Sequence, residues 1–219
     1  MPSDSFQIPV AFDLAATVAF ALTGAMAARR RGYDIVGLFF LALASGLGGG
    51  LIRDGLFIQQ GPPALMTDGR YLWAVLGGGA AGAFLGERLT RLNRAIAIFD
   101  ALGLGAYAVF GVQKSLAAGL AIPAAVLVGV INAAGGGVLR DILTREEPLV
   151  FKPGQFYVLI ALAGAIAFVF LTHQTRLPAT AAALIAIGLT FVLRLLTIVF
   201  NWKTSAITLP PSSSPTDGA

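Results

Sequence analysis

The stretch Gly48-Gly49-Gly50-Leu51-Ile52-Arg53-Asp54 returns 87 residues later as Gly135-Gly136-Gly137-Val138-Leu139-Arg140-Asp141. The same offset carries Phe12-Asp13 onto Phe99-Asp100 and Gly24 onto Gly111, with no gap across more than forty residues. Apolar sequence matches Leu and Ala by chance, but not three glycines followed by Arg-Asp in register with Phe-Asp. The chain is therefore internally duplicated, and the composition around the motif says what has been duplicated.

Of 219 residues, 57% are apolar and 12% charged, with a mean hydropathy of +0.81. A soluble domain carries about 25% charged residues, so a water-covered globule is excluded, as are disorder, collagen and coiled coil. The absence of cysteine excludes disulfides, Cys-ligated zinc, iron–sulfur clusters and thiol catalysis. The one histidine, His173, removes most His-based metal sites, so neither metal nor cofactor is expected. A net charge of +4 would suggest nucleic acid only if the basic residues formed a patch on a soluble fold. They sit instead in short clusters between apolar runs, the pattern that encodes membrane topology, so no nucleic-acid partner is expected.

A transmembrane helix needs about 20 mostly apolar residues. Seven runs qualify: Ile8 to Ala28, Ile35 to Ile58, Tyr71 to Gly86, Ala95 to Gln113, Leu116 to Leu143, Phe156 to Thr172 and Leu177 to Trp202. Ala25-Met26-Ala27 has the form of a signal cleavage site, but the arginines follow the apolar stretch rather than precede it, so the first span is expected to be retained. With the N-terminus outside, the inner side receives Arg29, Arg30, Arg31, Arg88, Arg91, Arg94, Arg145, Lys152 and Lys203, leaving Arg70, Lys114 and Arg176 outside. The expectation is a multi-pass protein of the cell membrane with its C-terminus in the cytoplasm. It forms one transmembrane domain over residues 1–205, with repeat one at about 9–87, repeat two at about 95–173, a seventh helix at about 177–202 and a disordered tail at 206–219. Each repeat holds three spans. An odd number places the second copy upside down, the inverted arrangement in which pathways form at the repeat interface.

Glycine costs about 1 kcal/mol relative to alanine inside a helix. Three in succession predict that the second and fifth helices kink at Gly48, Gly49, Gly50 and at Gly135, Gly136, Gly137, turning backbone oxygens into a wet path. Close helix packing is the competing reading. Arg53, Asp54, Arg140 and Asp141 follow the triplets. As chain neighbours pointing about 100° apart, Arg and Asp are not expected to pair with each other. These residues line either the path or its mouths, because charge in lipid is costly. Asp13 and Asp100 either attract cations or pair with an intramembrane Arg. Ser45 and Asn132, equivalent in the repeat, either line the path or bond a neighbouring helix. Arg194 is expected to snorkel. Gly78, Gly82 and Gly86 form a helix-packing face, on which contact between copies is expected. No Ser-His-Asp, paired-carboxylate or phosphate-loop constellation stands out, so an enzyme is not expected.

Two three-span repeats, each with Gly-Gly-Gly-x-x-Arg-Asp, and a seventh span resemble a prokaryotic member of the trimeric intracellular cation channel family over about Phe12 to Trp202. The resemblance implies a homotrimer surrounded by membrane lipids, with one pore per protomer between the second and fifth helices, passing potassium and sodium ions. The alternative is a secondary transporter of a small metabolite such as glycine, which the same broken, inverted helices would suit.

Overall fold

In the computed structural model the described residues are 9–88, 92–152, 156–175 and 177–202. Ile8, the topology charges Arg91, Arg176 and Lys203, and the tail at 206–219 lie outside them. The described chain is helical throughout: α1 Ala11–Arg30, α2 Ile35–Ile52 continued by a π-helix Arg53–Ile58, α3 Ala64–Thr67, α4 Arg70–Arg88, α5 Leu92–Ala117, α6 Ile122–Leu143, α7 Tyr157–Gln174 and α8 Ala179–Val199.

Local chemistry sets the boundaries. α1 ends at Gly32, whose φ of +71° turns the chain. Asp34 then caps α2 by accepting the Gly37 N–H at 2.8 Å. The fifth span begins later than Leu116: α5 runs on to Ala117, Gly119 turns at φ +88°, and Pro123 sits in the first turn of α6, where its missing N–H costs nothing. Among the described residues six helices are long and apolar enough to cross a membrane; α4 is not one of them. Its five glycines and the Arg70 and Arg88 ends lower its hydropathy.

α1 and α5 are the most buried of the six. α1 lies against α2 and α4, α5 against α6, α7 and α8, and the two sets meet along α1–α5 and α2–α6. At the meeting plane the repeat-equivalent rings of Phe20 and Tyr107 stack at 5.3 Å. The Tyr107 hydroxyl shares a 2.8 Å hydrogen bond with Thr17 and donates to the Gly46 carbonyl.

The Gly78, Gly82, Gly86 face meets α1 of the same chain rather than a second copy. A Cβ on Gly78 would sit 2.6 Å from the Val18 carbonyl, one on Gly82 2.4 Å from that of Leu22, and one on Gly86 2.8 Å from Arg29 Cδ. That face is consumed within the protomer.

Candidate functional site: two arginine–aspartate clusters

Neither glycine triplet interrupts its helix. α2 is α-helical through Gly48–Gly50 to Ile52, and α6 through Gly135–Gly137 to Leu143. What the glycines permit is contact. A Cβ on Gly49 would lie 2.2 Å from the Asn132 carbonyl oxygen, and one on Gly136 2.2 Å from that of Ser45. Gly48 faces Leu139, and Gly135 faces Ile52, its repeat equivalent. Residue 45 meets 136 while 49 meets 132, so the two helices run in opposite directions where they cross. The predicted break at the triplets is thus replaced by a backbone-to-backbone crossing, because removing Cβ there lets main chains touch.

The unwinding comes one step later, at Arg53–Ile58. The Gln59 N–H reaches back five residues to the Asp54 carbonyl at 2.9 Å, and Glu146 does the same to Asp141 at 2.8 Å. π-type turns are rare and concentrate at functional sites. Among the described residues only α2 carries one; α6 stays α-helical to Leu143 and closes in a Schellman cap, with Arg145 at φ +57° donating to the Ile142 carbonyl and Glu146 to that of Asp141.

In the first cluster Arg53 and Asp13 are almost wholly buried. Arg53 Nη1 donates to Asp13 Oδ1 at 3.1 Å and Nε to Asp54 Oδ1 at 2.7 Å, and Nη1 approaches Asn132 Oδ1 at 3.5 Å. The Phe110 ring lies 5.3 Å from the guanidinium carbon. Tyr71 donates to Asp13 Oδ2 at 2.5 Å, and Lys114 Nζ to Asp54 Oδ2 at 2.8 Å. The second cluster repeats the plan: Arg140 Nη1 donates to Asp100 Oδ1 at 2.8 Å and to Thr23 at 3.1 Å, and Nε to Asp141 Oδ1 at 2.9 Å. Asp141 Oδ2 accepts the Leu149 N–H at 3.3 Å. Each arginine therefore has an acid from another helix and also its own neighbour. The expectation that adjacent Arg and Asp would not pair is overturned: the long arginine side chain folds back over the short aspartate, since buried charge must be paired.

Asn132 Nδ2 holds the Tyr107 carbonyl at 2.7 Å, tying α6 to α5, and Ser45 is buried at the crossing. Arg194 does not snorkel: it is buried with its guanidinium carbon 5.0 Å from the Tyr157 ring centre. Thr23, Tyr71 and Tyr157 join the clusters without standing among the expected site residues, and Lys114, expected only as a topology charge, joins the first. Tyr71 and Tyr157 were detectable, standing one position off the repeat spacing in the third span of each copy.

A cavity of about 420 Å³ is lined by Ala27, Arg30, Asn93, Asp100, Arg140, Asp141, Glu146 and Arg194, among others. Another, of about 200 Å³, is lined by Asp54, Gln60, Pro62, Lys114 and Ala117. Asp100 and Lys114 are fourteen residues apart on one helix, about 21 Å at 1.5 Å per residue. The cavities therefore lie toward opposite ends of α5, each with an aspartate of one cluster in its lining. At the rim of the larger one Arg30 bonds Asn93 and Glu146, and Arg31 reaches Glu146 at 2.9 Å. Burial works against the Glu146 charge, but these guanidiniums outweigh it and hold the carboxyl below its ordinary range.

A family model described as "Glycine transporter" matches residues 10–87 and again 97–173, one match per repeat. A UPF0126 membrane protein of Deinococcus radiodurans is 36% identical, over 83% of this chain and 86% of its own length. Another from Bacillus subtilis is 32% identical, over 85% and 90%. The solved trimeric intracellular cation channel orthologue from Rhodobacter sphaeroides superposes with a TM-score of 0.82 at 32% identity, over 87% of this chain and 97% of that one. A structure titled for conductance through TRIC cation channels superposes at 0.78 with 29% identity, over 94% and 100%.

Proposed function

The chain belongs to the trimeric intracellular cation channel family, in its bacterial UPF0126 branch, and from that membership we propose that it is a passive cation channel permeable to potassium and sodium. Each protomer of a homotrimer carries its own pathway. The observation that carries this reading is the pair of cavities toward opposite ends of α5, each lined by an aspartate that an arginine of its cluster holds.

Between the cavities lies the α2–α6 crossing, so the path runs through the repeat interface. Asp13, Asp54, Asp100 and Asp141 make it attractive to cations, while Arg53 and Arg140, held by those acids, close it. Opening slides α2 against α6 about the glycine crossing at Gly48–Gly50 and Gly135–Gly137 and exposes carbonyls that replace ion hydration. Ser45 and Asn132, whose carbonyls meet Gly136 and Gly49 at the crossing, line it. The antiparallel crossing supports an inverted repeat, hence seven spans with α4 completing the first copy. Arg29, Arg30, Arg31 and Arg145 support an outside N-terminus and a cell-membrane location with the larger cavity facing the cytoplasm.

Purified protein in a planar bilayer should give unitary potassium currents. Saturable glycine uptake in liposomes without such currents would overturn the channel in favour of the carrier that the family model's name suggests.

A further inference from the structure

Each cluster carries one further cation: Arg194 of α8, buried against Tyr157 at the second, and Lys114, half-exposed, at the first. Lys114 stands in the last turn of α5 and reaches across the smaller cavity to Asp54 Oδ2 at 2.8 Å. Its position in the first repeat is occupied by Ala27, which lines the larger cavity. Asp54 thus accepts from Arg53, Lys114 and the Ala64 N–H, whereas the bonds to Asp141 come from Arg140 and the Leu149 N–H. The end with the lysine has about 200 Å³ of cavity, and the end with the alanine about 420 Å³.

The Asp54 side chain is 7% exposed, but that of Lys114 is 30% exposed. An ammonium on a flexible four-carbon stem, half in water, can leave its partner with little rearrangement. A guanidinium buried on every side cannot. We propose that Lys114 is a charge lock on the pathway entrance at the α5 C-terminal end: bound to Asp54 it blocks that mouth, and swung into solvent it leaves Asp54 as the carboxylate that admits a cation. This rests on the channel reading and assigns control of this mouth to one side chain. A unit charge about 7 Å from a cation in water-like dielectric changes the local cation concentration roughly threefold. The lock should therefore act on entry from this end alone.

The chain has no cysteine, so Lys114→Cys provides a single addressable thiol. In potassium bilayer recordings, Lys114→Met and unmodified Lys114→Cys should carry about two- to threefold more current than the parent for entry from the α5 C-terminal side and parental current for entry from the other. Aminoethyl methanethiosulfonate, which restores the ammonium, should return Lys114→Cys to the parental value, while methyl methanethiosulfonate should leave it raised. Parental conductance and rectification in both variants, or equal effects of the two reagents, would overturn the lock with the channel reading intact. A parent without currents would overturn both. The before-and-after comparison on one folded protein removes misfolding as an explanation.

Discussion

Replacing Gly49 or Gly136 with alanine tests whether the triplets serve contact or flexibility. The added Cβ would stand 2.2 Å from a main-chain oxygen of the facing helix, that of Asn132 or Ser45 respectively. Ordinary contact begins near 3.4 Å, so the two backbones must part by about 1.2 Å, and no side-chain rotation relieves the clash. Overpacking of this kind costs about 1–3 kcal/mol, and backbone partners place these substitutions at the upper end. Gly50, in the same triplet, is the control: its Cβ would meet only Arg53 Nη2 at 3.7 Å, and alanine should gain up to about 1 kcal/mol of helix propensity there. Thermal unfolding in detergent, followed by tryptophan fluorescence, should place Gly49→Ala and Gly136→Ala on the order of 10 °C below Gly50→Ala. The double variant should lose less than the sum, because one separation relieves both clashes. Equal melting of Gly49→Ala and Gly50→Ala would refute the crossing and return the triplet to a flexibility role.

Arg53→Gln leaves Asp13 and Asp54 buried without their main cation and should cost about 3–5 kcal/mol, partly recovered by adding Asp13→Asn; a neutral effect on unfolding would mean the cluster is open to water. Tyr107→Phe keeps the stack on Phe20 but removes the bonds to Thr17 and Gly46, for a loss of roughly 1–2 kcal/mol in the same assay. The Glu146 carboxyl is held below the ordinary value of about 4.3, so its tie to Arg30 and Arg31 is intact above that value and lost as the pH falls through the lowered one. The stability difference between parent and Glu146→Gln should be at most about 1 kcal/mol, constant from pH 8 to 5 and fading only as the pH falls below the ordinary carboxyl range; a difference that fades near neutrality would contradict the assignment.

The sequence by itself determined the membrane class, the duplication and most helix positions, because apolar length and an 87-residue register are one-dimensional properties. It also singled out Asp13, Arg53, Asp100 and Arg140, since charge in an apolar run is conspicuous whatever it touches. What the charges pair with was beyond it. That Arg53 meets both Asp13 and Asp54 depends on how α1 packs along α2 and on an arginine chain folding back, and neither leaves a periodic trace. The triplets show the limit most clearly. Three glycines in succession read as a break before they read as a contact surface, and only the opposing carbonyls of Asn132 and Ser45, brought within touching distance by a helix more than eighty residues away in the chain, decide for contact. Lys114 was legible only as a loop-side charge, because the aspartate that gives it meaning lies sixty residues away and across the cavity. Local propensity is written in neighbours along the chain, whereas pairing, burial and the asymmetry of the two mouths belong to neighbours in space.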